Sequence, residues 1–224
     1  MEYQENRKNG AREDRTFDTT ELDVAGTQEG YIVHRDYSAH YFKYGFAGRH
    51  CGGKRVLEIG CGSKAPLAYT MLFGEGFYNN PPKIYVGLDY GKVSKHPNNK
   101  WCNIHDRIDA TSQETRDFIK DTYGKFDVIV NLEVIEHMDK EHGSELLRTI
   151  ESALADDGYA LISTPVFNGK KAKNHIYEYT AEELEEAFEN AGLEVADRFG
   201  TFMSAPDMKR AIRDNFSEEV AREM

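Results

Sequence analysis

Cysteine is scarce in this sequence. The 224 residues hold three, Cys51, Cys61 and Cys102, an odd number with no C-x-x-C pair, which argues against a disulfide framework and a cysteine-built zinc site. Long apolar runs are missing too. No stretch approaches the roughly 20 apolar residues of a membrane-spanning helix, and the opening MEYQENRKNG has no apolar core of the kind a signal peptide carries. With 39% apolar residues and a mean hydropathy of −0.68, the composition predicts a soluble protein of a reducing compartment, the cytoplasm, with no membrane partner. An excess of positive charge is also lacking. Lys and Arg number 28 against 39 Asp and Glu, and the resulting −11 speaks, taken whole, against nucleic acid as a partner.

The distribution of that charge weakens the last inference. Residues 1–30 hold 8 acids and 4 bases, and residues 182–224 hold 12 acids and 5 bases, so the two ends account for the entire −11. Residues 31–181 have 19 of each sign and all eight histidines. Residues 1–30 read as a flexible acidic lead-in, charged and without periodicity. From Tyr31 an aromatic run begins, with Tyr37, Tyr41, Tyr44 and Ala47 at helical spacing and Phe42 and Phe46 beside them. This spacing predicts a helix near 36–50, ended by Gly52-Gly53, with its aromatic stripe packed against the body.

Beyond it, apolar runs of strand length alternate with helical patterns. Strands are expected at 55–59 (RVLEI), 84–88 (IYVGL), 104–108, 126–130 (FDVIV), 159–163 (YALIS) and 193–199 (LEVADRF). Helices are expected from Pro66, from Ser112, over 134–154, over 181–192 and over 206–224. This rhythm predicts an α/β, Rossmann-like fold: a mostly parallel sheet with helices on both faces. The domain would span 31–205, followed by a C-terminal helix over 206–224.

In such a sheet ligands sit beyond the carboxyl ends of the strands. After the first strand comes Glu58-Ile59-Gly60-Cys61-Gly62-Ser63, where two glycines allow a sharp turn and close backbone approach to a ligand. After the second stands Asp89, a carboxylate able to accept both hydroxyls of a ribose. After the third stand Asp109 and Ala110, suited to an adenine's amino group and ring edge. A dinucleotide fingerprint fits less well, because its third glycine falls on Ala65 and Asp89 lies 27 residues past Gly62.

The strings VLEIGCG, IYVGLDY, IDAT and FDVIVNLEVIEHM, in this order, resemble a class I S-adenosylmethionine-dependent methyltransferase over roughly residues 54–195. The resemblance implies that Gly60 and Gly62 pass under the methionine part of the cofactor and that Glu58 holds its ammonium indirectly. It further assigns the ribose to Asp89, the adenine to Asp109 and Ala110, and the far wall of the pocket to Leu132. The chain departs from the family at Lys64, where a third glycine is usual, and no seventh, antiparallel strand is found in the sequence.

Methyl transfer needs an acceptor lone pair in line with the methyl group and often the loss of a proton. Glu133, Glu136 and His137 are spaced i, i+3 and i+4, so on a helix they share one face. Together with His175 they form a candidate site for Mg²⁺ or Mn²⁺. Without a metal, Glu136, His137 or His175 is a candidate general base. This pattern resembles the ubiquinone-biosynthesis O-methyltransferases and the small-RNA terminal 2′-O-methyltransferases. Lys170, Lys171 and Lys173 lie in the same loop as His175, and Lys92, Lys95 and Lys100 follow Asp89. The function expected is O-methylation of a small hydroxylated acceptor. The alternatives are methylation of a nucleotide or nucleic acid at a ribose 2′-oxygen, and a cofactor-binding regulator without catalysis. Neither the oligomeric state nor the acceptor is written in the sequence.

Overall fold

The computed structural model describes residues 35–73, 80–167 and 169–200. Helix α1 (Arg35–Cys51) precedes β1 (Arg55–Ile59), α2 (Pro66–Phe73), β2 (Ile84–Leu88) and β3 (Cys102–His105). Then follow α3 (Gln113–Thr122), β4 (Phe126–Leu132), a single 3₁₀ turn (Ile135–His137), α4 (Lys140–Ala153), β5 (Leu154–Ser163) and α5 (Ala181–Asn190). The five strands form one parallel sheet in the order β3-β2-β1-β4-β5.

Successive residues of a strand face opposite sides of the sheet, and here both sides are covered, so the strands read as nearly unbroken apolar runs. Leu57, Ile59, Val86, Leu88 and Ile129 pack on one side with Ile119 of α3 and Leu146, Leu147 and Ile150 of α4. Val56, Tyr85, Val128 and Val130 pack on the other with Tyr44 and Ala47 of α1 and Leu67 and Met71 of α2. The helices start at side-chain caps that satisfy their first N–H groups. Ser112 accepts from Thr115 N, Asp139 accepts from His142 N, and Thr180 with Glu183 forms a capping box on α5.

The predicted Rossmann-like parallel sheet is therefore present, with differences in detail. The third strand ends at His105 rather than running over 104–108. The stretch 134–154 is not one helix: the 3₁₀ turn ends at His137, and Asp139 opens a separate helix. That helix passes into β5 without a loop, and β5 carries an irregularity opposite Phe126–Val128. The expected strand at 193–199 does not form. A strand needs a neighbour to complete its ladder, and no strand lies alongside it among the described residues. Instead Leu193 N donates to Phe188 O, Arg198 pairs with Glu185 at 2.7 Å, and Val195 and Phe199 stay on the surface. The lead-in at 1–30 and the helix expected at 206–224 lie outside the described residues.

Candidate active site at the centre of the sheet

From β1 the chain winds outward through β2 to β3, and from β4 it winds the other way to β5, so the strand order reverses between β1 and β4. A crevice opens at such a switch point, beyond the carboxyl ends of the strands. The β1–β4 pairing runs from Val56↔Val128 to Glu58↔Val130. Just past it, the Asn131 side chain bridges the parting strands, its Nδ2 donating to Ile59 O at 2.9 Å.

Gly60 turns the chain out of β1 with φ at 81°, a left-handed value that glycine adopts without a Cβ penalty. Space demands glycine there as well, since a Cβ would lie 2.3 Å from Val134 Cγ2. The glycine turn thus rests directly on the segment that follows β4. Gly60 N and Cys61 N both donate to Leu88 O, which ties the turn to the end of β2. The residue that follows β2, Asp89, accepts from Gly62 N at 2.8 Å through Oδ2 and from Gly91 N at 2.7 Å through Oδ1. Two backbone donors thus fix the carboxylate at the edge of the crevice. Ile108 N donates to Asp89 O, bringing the segment after the third strand alongside. There Asp109 caps its own turn through Thr111 N and Oγ1, and Ala110 is buried with its carbonyl accepting from Thr149. Leu132 ends β4 packed against the α1–α2 side of the core.

Beneath the turn, Glu58 is buried and accepts a hydrogen bond from the Tyr85 hydroxyl. Gly87, opposite Glu58 in the ladder, leaves room for that pair: a Cβ there would approach Ile104 to 2.6 Å and the Tyr85 hydroxyl to 3.0 Å. Burial, and then the charge of Glu58, push the Cys51 thiol up to about 12. The exposed Lys92, Lys95 and Lys100 stand in the segment after Asp89, which folds back so that Ser94 N and Lys95 N donate to Ser63 O.

On the other side of the crevice, Glu136, His137 and His175 each offer a ligand atom, all within 4.8 Å of one another. The strap carrying His175 is held to the 3₁₀ turn by Ile176 N and Tyr177 N, which both donate to Glu136 O. His175 Nδ1 meets Glu178 Oε1 at 2.5 Å, and His137 Nδ1 meets Asn174 O at 3.2 Å. A carbonyl or carboxylate oxygen can only accept, so each Nδ1 carries a proton, and in the neutral imidazole each Nε2 keeps the lone pair. Glu136 is fully buried. Its Oε2 accepts from Thr164 Oγ1 at 3.0 Å, while Oε1 is buried with no hydrogen-bond partner. Burial first, and then the charge of Glu133, push its carboxyl up to about 8. A paired set of imidazole lone pairs beside an unsatisfied buried carboxyl oxygen fits a divalent cation.

Glu133 stands apart from this set. It takes a left-handed φ of 57° immediately after β4 instead of lying on a helix, so the expected common face with Glu136 and His137 does not exist. Its Oε1 pairs with Lys43 Nζ at 2.7 Å and accepts from Ser163 Oγ at 2.8 Å. Sequence reasoning missed Lys43, Asn131, Ser163, Thr164 and Glu178. Of these only Glu178 left a local signal, its i+3 spacing from His175. Lys170 and Lys173 are exposed, and Lys171 donates to His175 O.

A parallel sheet with a glycine turn after β1 and acids after β2 and β3 is the arrangement implied by the resemblance to class I S-adenosylmethionine-dependent methyltransferases. The comparisons agree. Residues 34–197 match the family described as "Methyltransferase domain", and the chain belongs to it. It is 29% identical to a Mycolicibacterium smegmatis (strain ATCC 700084 / mc(2)155) protein named "Probable S-adenosylmethionine-dependent methyltransferase", over 84% of this chain and 69% of that one. It is 30% identical to the ubiquinone biosynthesis O-methyltransferase of Brucella ovis (strain ATCC 25840 / 63/290 / NCTC 10512), over 75% and 71%. Among solved structures, CalO1, a methyltransferase in calicheamicin biosynthesis solved with S-adenosylhomocysteine, superposes with a TM-score of 0.51. That match has 18% identity, over 74% of this chain and 54% of CalO1, and is a likeness of fold.

Proposed function

We propose that this enzyme transfers the methyl group of S-adenosylmethionine to an oxygen of a small hydroxylated acceptor, with a divalent metal holding that acceptor. The observation that carries the acceptor half is the convergence of Glu136, His137 and His175 next to the glycine turn. In this reading Gly60 and Gly62 lie under the methionine part of the cofactor, and Glu58 steadies its ammonium indirectly. Asp89 takes the ribose hydroxyls, Asp109 and Ala110 take the adenine, and Leu132 closes the far wall. The closeness of Val134, just before the 3₁₀ turn, to Gly60 supports this reading, because the proposed acceptor site then adjoins the loop assigned to the cofactor.

Glu136, His137 and His175 are the residues that would hold Mg²⁺ or Mn²⁺. Such an ion, when bound, lowers the pKa of a hydroxyl and fixes its lone pair. Glu178 and the Asn174 carbonyl orient the two imidazoles, and Thr164 orients Glu136. The Brucella relative named as a ubiquinone biosynthesis O-methyltransferase supports an oxygen acceptor.

The test is methyl transfer from labelled cofactor to a panel of small hydroxylated compounds and RNA ends, with chelator and with Mn²⁺ restored. The expected result is labelling of a small hydroxylated compound that chelator abolishes and Mn²⁺ restores, and that His175→Ala loses. Labelling indifferent to chelator, without saturable Mn²⁺ binding, removes the metal. Labelling confined to RNA reassigns the acceptor, and cofactor binding with no transfer to any acceptor makes the chain a regulator.

A further inference from the structure

One side chain near the site comes from outside the strands and the loops that follow them. Lys43 lies on α1, beside the buried Tyr44, and its stem carries the ammonium to the end of β4. There it meets Glu133 at 2.7 Å, with both side chains largely shielded, at 15% and 18% exposure. Shielding makes such a pair worth more than a surface ion pair and costly to break on one side. Glu133 is fastened at two further points: Ser163 Oγ donates to the same Oε1, and Glu133 N donates to Ser163 O at 2.9 Å. Glu133 is nonetheless near the cation ligands: Ser163 Oγ holds it at 2.8 Å, while the hydroxyl of the next residue, Thr164, holds Glu136 at 3.0 Å.

We infer that Lys43 withholds Glu133 from the metal, so that this chain presents three protein ligands, Glu136, His137 and His175, rather than four. The inference rests on the metal reading proposed above. Its chemical content is a competition between two cations for one carboxylate. A protein-borne ammonium already neutralises Glu133, so a divalent ion gains little by drawing that side chain away. Three ligands also leave an octahedral ion more open positions than four would. Lys43 is then a residue that sets the affinity and coordination of the ion without touching it.

Mn²⁺ titration by calorimetry and the visible spectrum of the Co²⁺ form test this without any turnover. Four proteins are compared: the wild type, Lys43→Met, Lys43→Arg, and Lys43→Met combined with Glu133→Gln. Lys43→Met frees Glu133, and the expected result is Mn²⁺ binding about tenfold tighter, the scale on which residues behind the ligands act, with a changed Co²⁺ spectrum. Lys43→Arg keeps the ion pair and should bind as the wild type does. The double variant has no carboxylate to release and should also return to wild-type affinity. If Lys43→Met does not fold, Lys43→Gln is read in its place.

Wild-type binding that Lys43→Met leaves unchanged overturns the role of Lys43 and spares the metal reading. A double variant that binds far more weakly than the wild type shows Glu133 to be a ligand already, and overturns it too. Absence of Mn²⁺ binding in all of these proteins removes the metal reading, and the role of Lys43 with it.

Discussion

Glu136 shows how one buried side chain is shaped by what is missing around it. Its carboxyl is fully buried, with one oxygen held by Thr164 and the other unpartnered, and burial raises its pKa from 4.5 to about 8. The folded protein therefore holds at Glu136 a proton that the unfolded chain gives up near pH 4.5. The stability this proton contributes is complete below pH 4.5 and is lost as the pH rises through about 8. In metal-free buffer, the protein is expected to be less stable at pH 9 than at pH 5, by an amount on the order of a few kcal/mol. Glu136→Gln, which keeps the shape and cannot ionise, should flatten that dependence. Denaturant midpoints across the pH range measure both, and an equal slope in wild type and variant would show that Glu136 is not the group responsible.

At the scale of elements, the strap from Ala172 to Thr180 joins the candidate metal ligands to the rest of the fold. One end is held by Glu178, which accepts from Ala172 N and from His175, and the other by the capping box of Thr180 and Glu183. Glu183 also takes the hydroxyl of Tyr177 and the ammonium of Lys140 from α4. Removing the cap by Thr180→Ala should cost about 1 kcal/mol. It should also speed hydrogen exchange at the Ile176 and Tyr177 amides, which hold the strap to Glu136. Unchanged exchange at those two amides would mean that the strap is held independently of α5.

The same scale shows what a sequence can and cannot convey. RVLEI and IYVGL were legible to the residue, because strands buried on both faces are short unbroken apolar runs bounded by turn residues. The stretch from Val134 to Leu154 was less so. Its spacing suits one helix, yet the left-handed Glu133 and the extended Met138 cut it into a turn and a separate helix capped by Asp139. The grouping of Glu136, His137 and His175 was visible because two of them are adjacent and the third follows the next strand. The Lys43–Glu133 pair was not, since it joins the first described helix to the residue after the fourth strand and rests on tertiary packing. LEVADRF alternates as a strand does, but alternation says nothing of whether a neighbour is there to pair with.

At the scale of the whole molecule, the charge of the sequence and its candidate chemistry lie in different segments. No helix among the described residues is long and apolar enough to cross a membrane, and their three cysteines are unpaired. The charge-balanced stretch 31–181 contains the sheet, the glycine turn and every candidate ligand, while the net −11 belongs to the ends. The central claim is that the crevice between β1 and β4 holds S-adenosylmethionine, with Asp89 on the ribose. Calorimetric titration of S-adenosylhomocysteine into wild type and Asp89→Ala tests it most directly, with the emission of the single tryptophan, Trp101, buried near Tyr85, as the check on folding. Saturable binding by the wild type is predicted, weakened at least about a hundredfold in a folded Asp89→Ala protein that has lost two hydrogen bonds to a charged acceptor. Equal affinity in the two proteins, or no binding by the wild type, would contradict it.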